Sequence, residues 1–215
     1  KEWLTQQDNF TSKDMIITAN ESSLASGFSN ETFIFNIKEK NISKNYVLRL
    51  KPSNYQVFPE YNLKLQVDIM RCLHKKGFPA PNVILYESND DILGSEFYLM
   101  NFINGEAPSD NPPYHMDPEG MVGKAVKENR RKIWTEWIHY LNKIHILNID
   151  DLGLTELDIK YKKNDPIDID ISYYQNFLDW GMDGEDNPLC DDVLNWLREN
   201  KPKKHNALSL CWGDS

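Results

Sequence analysis

The pattern of the sequence changes near residue 105, and this change limits the possible folds most strongly. Before it, short runs rich in Ile, Phe, Tyr and Val predict five β-strands. They lie at residues 15–19, 32–38, 46–50, 82–86 and 96–103. One helix interrupts them, because Leu63, Val67, Met70 and Leu73 recur at helical spacing, and Gly77 followed by prolines supplies a stop signal. This half of the chain is therefore a β-rich lobe with one helix.

Beyond residue 105 the apolar residues follow helical spacing instead. Trp134, Trp137 and Ile144 mark one face of a long helix, and residues 174–178 mark part of another. Asn187 followed by a first-turn proline predicts a capped helix that ends at 201–202. The sequence therefore predicts an α+β protein with two parts, residues 1–104 and a mostly helical part at 105–215.

The last segment, residues 207–214, is an apolar run that ends in Gly-Asp. We expect a buried strand that delivers the carboxylate of Asp214 to a loop, where it can take a proton from a bound hydroxyl. An ordinary turn after a strand is the alternative.

Charge and composition exclude several classes of protein. With 33 acidic and 24 basic residues, a net charge of -9, the chain lacks the electrostatic footprint of a nucleic-acid binder. No apolar run approaches the ~18 residues of a membrane span, and the N-terminus has no signal-peptide pattern. We expect a cytoplasmic protein. Cys72, Cys190 and Cys211 lie in apolar stretches as core residues, and the histidines lack metal-ligand spacing.

Six short segments stand out in a fixed order along the chain. They are GFSNET at 27–32, YVLR at 46–49, GFPAPNVILY at 77–86, ILGSEFYLMNFING at 92–105, LNKIH at 141–145 and CWGD at 211–214. Together they resemble the aminoglycoside phosphotransferase family of kinase-like enzymes. More narrowly, they are similar to kinase-like domains related to those fused to some acyl-CoA dehydrogenases. The resemblance implies a protein-kinase-like fold with an N-terminal antiparallel sheet and an incomplete helical lobe. It also implies that ATP and Mg²⁺ serve phosphoryl transfer to a hydroxyl of a small molecule.

Phosphoryl transfer needs a turn that covers the phosphates and a fixed cation. The resemblance places Gly27, Ser29 and Asn30 in that turn, although a plain hairpin turn would also explain them. Arg49 stands where kinase folds carry a strand lysine, and its guanidinium can bind phosphate through two N–H groups. Lys51, two residues on, is the alternative cation.

The family usually holds this cation with a glutamate on the helix. An ungapped comparison puts Gln66 at that position, and Gln can hydrogen-bond a cation without neutralising it. Asp68 and Glu60 are nearby acids that a shift in register would recruit.

Residues 100–103 resemble the hinge between kinase lobes. In that case Asn101 C=O and Ile103 N–H bind the adenine edge, and Val47 and Met100 pack on the ring. A central strand with its exit turn is compatible with the same residues.

The resemblance makes Asp214 the acid that orients the acceptor hydroxyl, with Trp212 in place of the family's usual His. The expected Mg²⁺ ligands, an Asn about five residues after Asp214 and a later Asp, would lie beyond Ser215. We therefore expect a fragment that is itself inactive, and no metal ligand is assigned within it. A non-catalytic, pseudokinase-like module that binds nucleotide or a partner is the alternative.

The acceptor is the least defined component. Acidic residues in the helical part would attract a cationic acceptor such as an aminoglycoside, and a solvated acidic surface explains them equally well. They are Asp165, Asp168, Asp170, Asp179, Asp183, Glu185, Asp186, Asp191 and Asp192.

Overall fold

Five strands form one antiparallel sheet in the computed structural model, which describes residues 2–10, 14–19, 29–53, 56–154, 164–204 and 208–212. The strands are β1 (Ile16–Ala19), β2 (Glu31–Glu39), β3 (Ile42–Leu50), β4 (Val83–Glu87) and β5 (Phe97–Asn101). Their order in the sheet is β1-β2-β3-β5-β4. All five predicted strands are confirmed. β3 begins earlier than expected because polar residues extend its ladder with β2, where Asn36 Nδ2 donates to Asn45 Oδ1 at 2.9 Å.

The alternation of side chains gives the sheet two apolar faces. One face carries Ile37, Tyr46 and Leu99, and the N-terminal residues Leu4 and Phe10 pack on it. The other face carries Val83, Tyr98 and Met100, and it packs against helix α1 (Leu63–Lys75) through Leu63 and Val67. We call the second face the α1 face. Elements of the same chain thus pack on both faces of the sheet, with α1 lying mainly against β4 and β5.

Helix α1 begins and ends as its sequence predicts. Asn62 caps its first turn by accepting a hydrogen bond from Leu65 N at 2.8 Å. At the other end, Phe78 N donates to Leu73 O and Gly77 N to His74 O, both at 3.0 Å. These two bonds are those of a Schellman motif. Gly77 provides the left-handed conformation that the motif needs, with φ of 81°.

Substitution of Gly77 by Ala is expected to lower the free energy of unfolding by about 1 to 2 kcal/mol. A Cβ at this position meets no atom within 4 Å, so the cost arises only from the left-handed backbone. Gly181→Ala is the matched control, because Gly181 lies within a helix with equally open surroundings. It should be neutral or stabilise by up to about 0.5 kcal/mol. Urea unfolding measures both, and equal effects would contradict the assignment.

The described residues form four further α-helices, α2 (Met121–Lys124), α3 (Lys127–His145), α4 (Pro166–Met182) and α5 (Pro188–Asn200). The predicted helices are confirmed, and α3 and α4 extend beyond the residues that marked them. Asn187 caps α5 by accepting from Cys190 N, as predicted from Asn-Pro. The chain therefore combines an N-terminal antiparallel sheet with a largely helical remainder.

The residues group into two compact units. One contains Lys1–Phe102 with Leu154–His205, and the other contains Ile103–Gly153 with Asn206–Ser215. The predicted boundary between an N-terminal part that ends at residue 104 and a helical part that begins at residue 105 is not tested by this grouping, and it stays a prediction.

The predicted C-terminal strand is wrong for the residues that the structure describes. Residues 208–212 form no regular secondary structure, and Cys211 and Trp212 are exposed. An apolar run becomes a buried strand only where another strand offers its backbone groups, and none of the five strands of the described sheet pairs with it.

Candidate functional site

Three predicted site residues meet on the α1 face. The register places Thr32 opposite Arg49 and Arg49 opposite Tyr98, so these side chains form one row across β2, β3 and β5. The next row consists of Ile34, Val47 and Met100. Opposite residues of neighbouring strands share a face. Val47, Arg49 and Met100 therefore lie side by side, whereas their roles in binding a nucleotide stay predictions.

The guanidinium of Arg49 is held by a tyrosine that the sequence analysis did not identify. Arg49 Nη1 donates to the hydroxyl of Tyr98 at 3.4 Å, and this hydroxyl donates to Gln66 Oε1 on α1 at 3.5 Å. Tyr98 is fully buried, with 0% of its surface exposed. Arg49 and Gln66 are half-buried. The cation is thus connected to the helix through one phenol.

Arg49 retains hydrogen-bonding capacity that the described residues do not use. Its Nε is buried and has no hydrogen-bond partner within the described part of the chain. Among the described side chains no carboxylate forms a salt bridge with it either. Burying an unpaired N–H of a cation costs free energy, which an anion could recover.

The two alternative acids do not take the place of Gln66. Asp68 forms an ion pair with Lys64, one helical turn before it. Glu60 is exposed and precedes the helix. The side chain connected to Arg49 is therefore neutral.

Burial determines the protonation of the connecting phenol. It raises the pKa of Tyr98 above the ordinary value for tyrosine, while the nearby Arg49 charge and its hydrogen bond act in the opposite direction. The net direction is upward, so Tyr98 is a neutral phenol at physiological pH. It can accept one hydrogen bond and donate another at the same time.

The predicted phosphate turn is described only in part. Asn30, just before β2, is 7% exposed, and its Oδ1 has no hydrogen-bond partner within the described residues. Ser29 is half-buried, and Gly27 lies outside the described residues. Asn30 and Arg49 thus carry the two buried side-chain atoms without a partner in the described chain.

The predicted hinge residues are placed as follows. Met100 is half-buried on the α1 face, and Asn101 ends β5 with its N–H donating to Asn82 O at 3.0 Å. Ile103 is 57% exposed and belongs to the other unit. Their role in binding adenine stays a prediction.

The catalytic acid predicted from sequence, Asp214, lies outside the described residues. Trp212, two residues before it, is 42% exposed. The role of Asp214 therefore also stays a prediction.

The chain was compared with known proteins. The sequence pattern of the phosphotransferase enzyme family matches residues 21–215. The chain belongs to this family. The phosphotransferase family includes kinase-like enzymes, and the sheet and helices described above agree with a kinase-like fold. A structural comparison supports the same fold. A protein from Ralstonia eutropha JMP134 assigned as an aminoglycoside phosphotransferase superposes with a TM-score of 0.58 at 19% identity, over 94% of this chain and 53% of that one.

Curated relatives also match this phosphotransferase-family chain. Acyl-CoA dehydrogenase family member 11 of Rattus norvegicus is 29% identical over 191 residues, which cover 88% of this chain and 22% of that protein. The Homo sapiens protein of the same name is 28% identical over 190 residues, covering 87% of this chain and 22% of the relative. The chain thus spans about a fifth of the length of these relatives.

Part of the acidic surface of this family member is already paired. Lys201 Nζ lies 3.0 Å from Asp165 Oδ2 and also contacts Asp168 within hydrogen-bond distance. These hydrogen bonds, first that of Asp168 and then that of Asp165, raise the pKa of Lys201. Asp179 accepts from Gln175 Nε2 at 2.8 Å. The acidic residues are thus partly occupied by local partners in α4 and α5.

Two further findings concern metals and membranes. No group of three or more His, Cys, Asp or Glu side chains in the described residues is arranged to hold a metal ion. None of the described helices is both long and apolar enough to span a bilayer.

Proposed function

We propose that this chain binds ATP on the α1 face of its sheet and belongs to an enzyme that transfers the γ-phosphoryl group to a hydroxyl of a small molecule. The observation that carries the proposal is Arg49, a half-buried cation that forms no salt bridge with any described acid. A phosphate oxygen would pair with this charge and accept hydrogen bonds from the guanidinium. Family membership supplies the reaction class.

The neighbouring residues support a nucleotide in particular. Val47 and Met100 lie one row from Arg49 and offer half-buried apolar surface on which a base could pack. Asn30 and Ser29 stand at the entry to β2, whose Thr32 faces Arg49. Apolar groups for a purine and polar groups for its phosphates thus lie on, or directly beside, the same three strands.

Each group would have a distinct role in this reaction. Arg49 would hold a phosphate group and reduce its negative charge, and Asp214 would accept the proton of the acceptor hydroxyl. ATP supplies the phosphoryl group. Mg²⁺ is the metal that the family implies, and when bound with ATP it would offset the negative charge of the phosphates.

Arg49→Ala is expected to weaken ATP binding by roughly 10- to 100-fold, the span of a charge-assisted hydrogen bond. Adenosine affinity should stay unchanged, because adenosine has no phosphate for the guanidinium to bind. Isothermal titration calorimetry measures both ligands. Arg198→Ala is the matched control, since it removes the same charge from an exposed position on α5. No ATP binding by the wild-type chain, or equal loss from both variants, would refute the proposal.

A non-catalytic module that binds nucleotide is the second candidate, and Gln66 favours it. A neutral amide occupies the position from which the family's glutamate usually holds the cation. Assays of phosphate transfer to a panel of hydroxylated and aminated small molecules distinguish the two candidates. Binding of ATP without transfer to any acceptor, even in longer polypeptides that contain this chain, would favour the module.

A further inference from the structure

The contact between Arg49 and α1 passes through Tyr98, a residue to which the sequence assigned no role in the site. Arg49 stands on β3, Tyr98 directly opposite it on β5, and Gln66 on the helix above. The two hydrogen bonds of the Tyr98 hydroxyl, 3.4 Å and 3.5 Å long, connect all three elements. A phenol fixed by a strand and a helix therefore restricts where the guanidinium can lie.

The direction of both hydrogen bonds is determined by chemistry. A guanidinium can only donate, so the phenol oxygen must accept from Arg49. The phenol proton then has Gln66 Oε1 as its acceptor. Burial keeps that proton on Tyr98 by raising its pKa. Tyr98 thus accepts from one side chain and donates to the other, and this connection favours an orientation of Arg49 in which the guanidinium faces the phenol.

A neutral network differs from a carboxylate in its effect on charge. A glutamate within contact distance would pair with the guanidinium and offset its charge. Tyr98 and Gln66 hold the guanidinium in place but leave the whole positive charge available. The Nε of Arg49 has no hydrogen-bond partner among the described residues, so these residues do not satisfy every donor of the guanidinium.

We infer that Tyr98 is a positioning residue for phosphate binding, which orients Arg49 through a neutral connection to Gln66 and leaves its full charge for a nucleotide phosphate. This inference deepens the proposed function and rests on it. Tyr98 would act through Arg49 and would not contact the nucleotide itself.

Tyr98→Phe is the direct test. Phenylalanine retains the ring that packs with Leu63, Val67 and Val83 and removes only the hydroxyl. We expect the dissociation constants of ATP and ADP to rise roughly 3- to 10-fold, while that of adenosine is unchanged. Tyr46→Phe is the matched control, because Tyr46 is a buried tyrosine of the same sheet on the opposite face. It should leave all three affinities as in the wild type.

A double-mutant cycle with Arg49→Ala separates positioning from general structural damage. If Tyr98 acts through Arg49, then Tyr98→Phe has no further effect on ATP affinity once Arg49 is Ala. Additive losses, or an equal loss of adenosine affinity, would overturn the inference. The inference would also be overturned if Tyr98→Phe bound ATP with wild-type affinity while Arg49→Ala weakened ATP binding. In that case the proposed function would still stand, because it depends on Arg49 and not on Tyr98.

Two remaining outcomes are also decisive. A wild-type chain that does not bind ATP overturns both the inference and the proposed function.

If Tyr98→Phe does not fold, Gln66→Leu replaces it, because Oε1 of the half-buried Gln66 accepts the hydrogen bond of the Tyr98 hydroxyl. A selective 2- to 5-fold loss of ATP over adenosine affinity is then expected, on the order of a single weak hydrogen bond. Unchanged ATP affinity in Gln66→Leu would overturn the inference.

Discussion

Asp214→Asn is expected to lower kcat by roughly 10² to 10⁴-fold, the range for a general base, in any polypeptide that contains this chain and transfers phosphate. The amide of Asn cannot take up the proton that leaves the acceptor hydroxyl. ATP affinity should change little, since the nucleotide groups proposed above lie on β2, β3 and β5. Membership of the phosphotransferase family and the Gly-Asp that ends an apolar run carry this prediction.

Steady-state kinetics and melting temperature, measured together on this variant, are the test. A structural turn residue would instead leave kcat as in the wild type and change stability by about 1 kcal/mol. Asp91→Asn in the turn before β5 is the matched control, because it removes an exposed acid of the same type that is not among the candidate acceptor-binding residues. Equal kcat values for Asp214→Asn and Asp91→Asn would show that the catalytic acid lies elsewhere.

Local sequence patterns were sufficient for the five strands of the sheet and for helices α1, α3, α4 and α5. The stop of α1 at Gly77 and the cap of α5 at Asn187 depend on residues within one turn of the helix end. Such signals act over a few residues, so they can be read without knowing the rest of the fold. The same holds for the face shared by Val47 and Arg49, which follows from strand periodicity.

The connection between Arg49 and Gln66 could not be predicted in this way. Tyr98 lies 49 residues from Arg49 and 32 from Gln66 along the chain. It stands opposite Arg49 only because β3 and β5 pair in one particular register. A sequence pattern gives the period of a strand but does not give its partner or register. The only sequence signal for Tyr98 was the run FYLM in β5, and such an apolar run equally predicts an ordinary buried strand.

Long-range pairing also explains the error at the C-terminus. Residues 208–212 have the composition of a buried strand, yet no described strand pairs with them. Composition indicates what a segment can form, whereas the partner decides what it does form.

The N-terminal segment, residues 2–10, is the opposite case: it packs against the sheet although its sequence predicts neither a helix nor a strand. Trp3 and Leu4 are adjacent, and five polar residues separate them from Phe10, so the three show no helical or strand period. In the structure Trp3 Nε1 donates to Glu87 Oε2 at 3.2 Å, and its ring lies 5.1 Å from that of Phe97, edge to face. Phe10 is 2% exposed and contacts Tyr46 with ring centroids 5.7 Å apart. These contacts cover the face of the sheet opposite α1.

Phe10→Ala is therefore expected to lower the free energy of unfolding by about 3 to 5 kcal/mol, because it leaves a cavity between the N-terminal segment and the sheet. That is a large share of the ~5 to 15 kcal/mol that holds a typical domain folded. Phe33→Ala is the matched control, since Phe33 lies on β2 and is 39% exposed, and it should cost no more than about 1 kcal/mol. Urea unfolding followed by tryptophan fluorescence measures both. Equal unfolding midpoints for Phe10→Ala and the wild type would mean that residues 2–10 do not form part of the core. A large loss would show that this segment, which no local pattern marks, is needed to hold the sheet that carries Arg49.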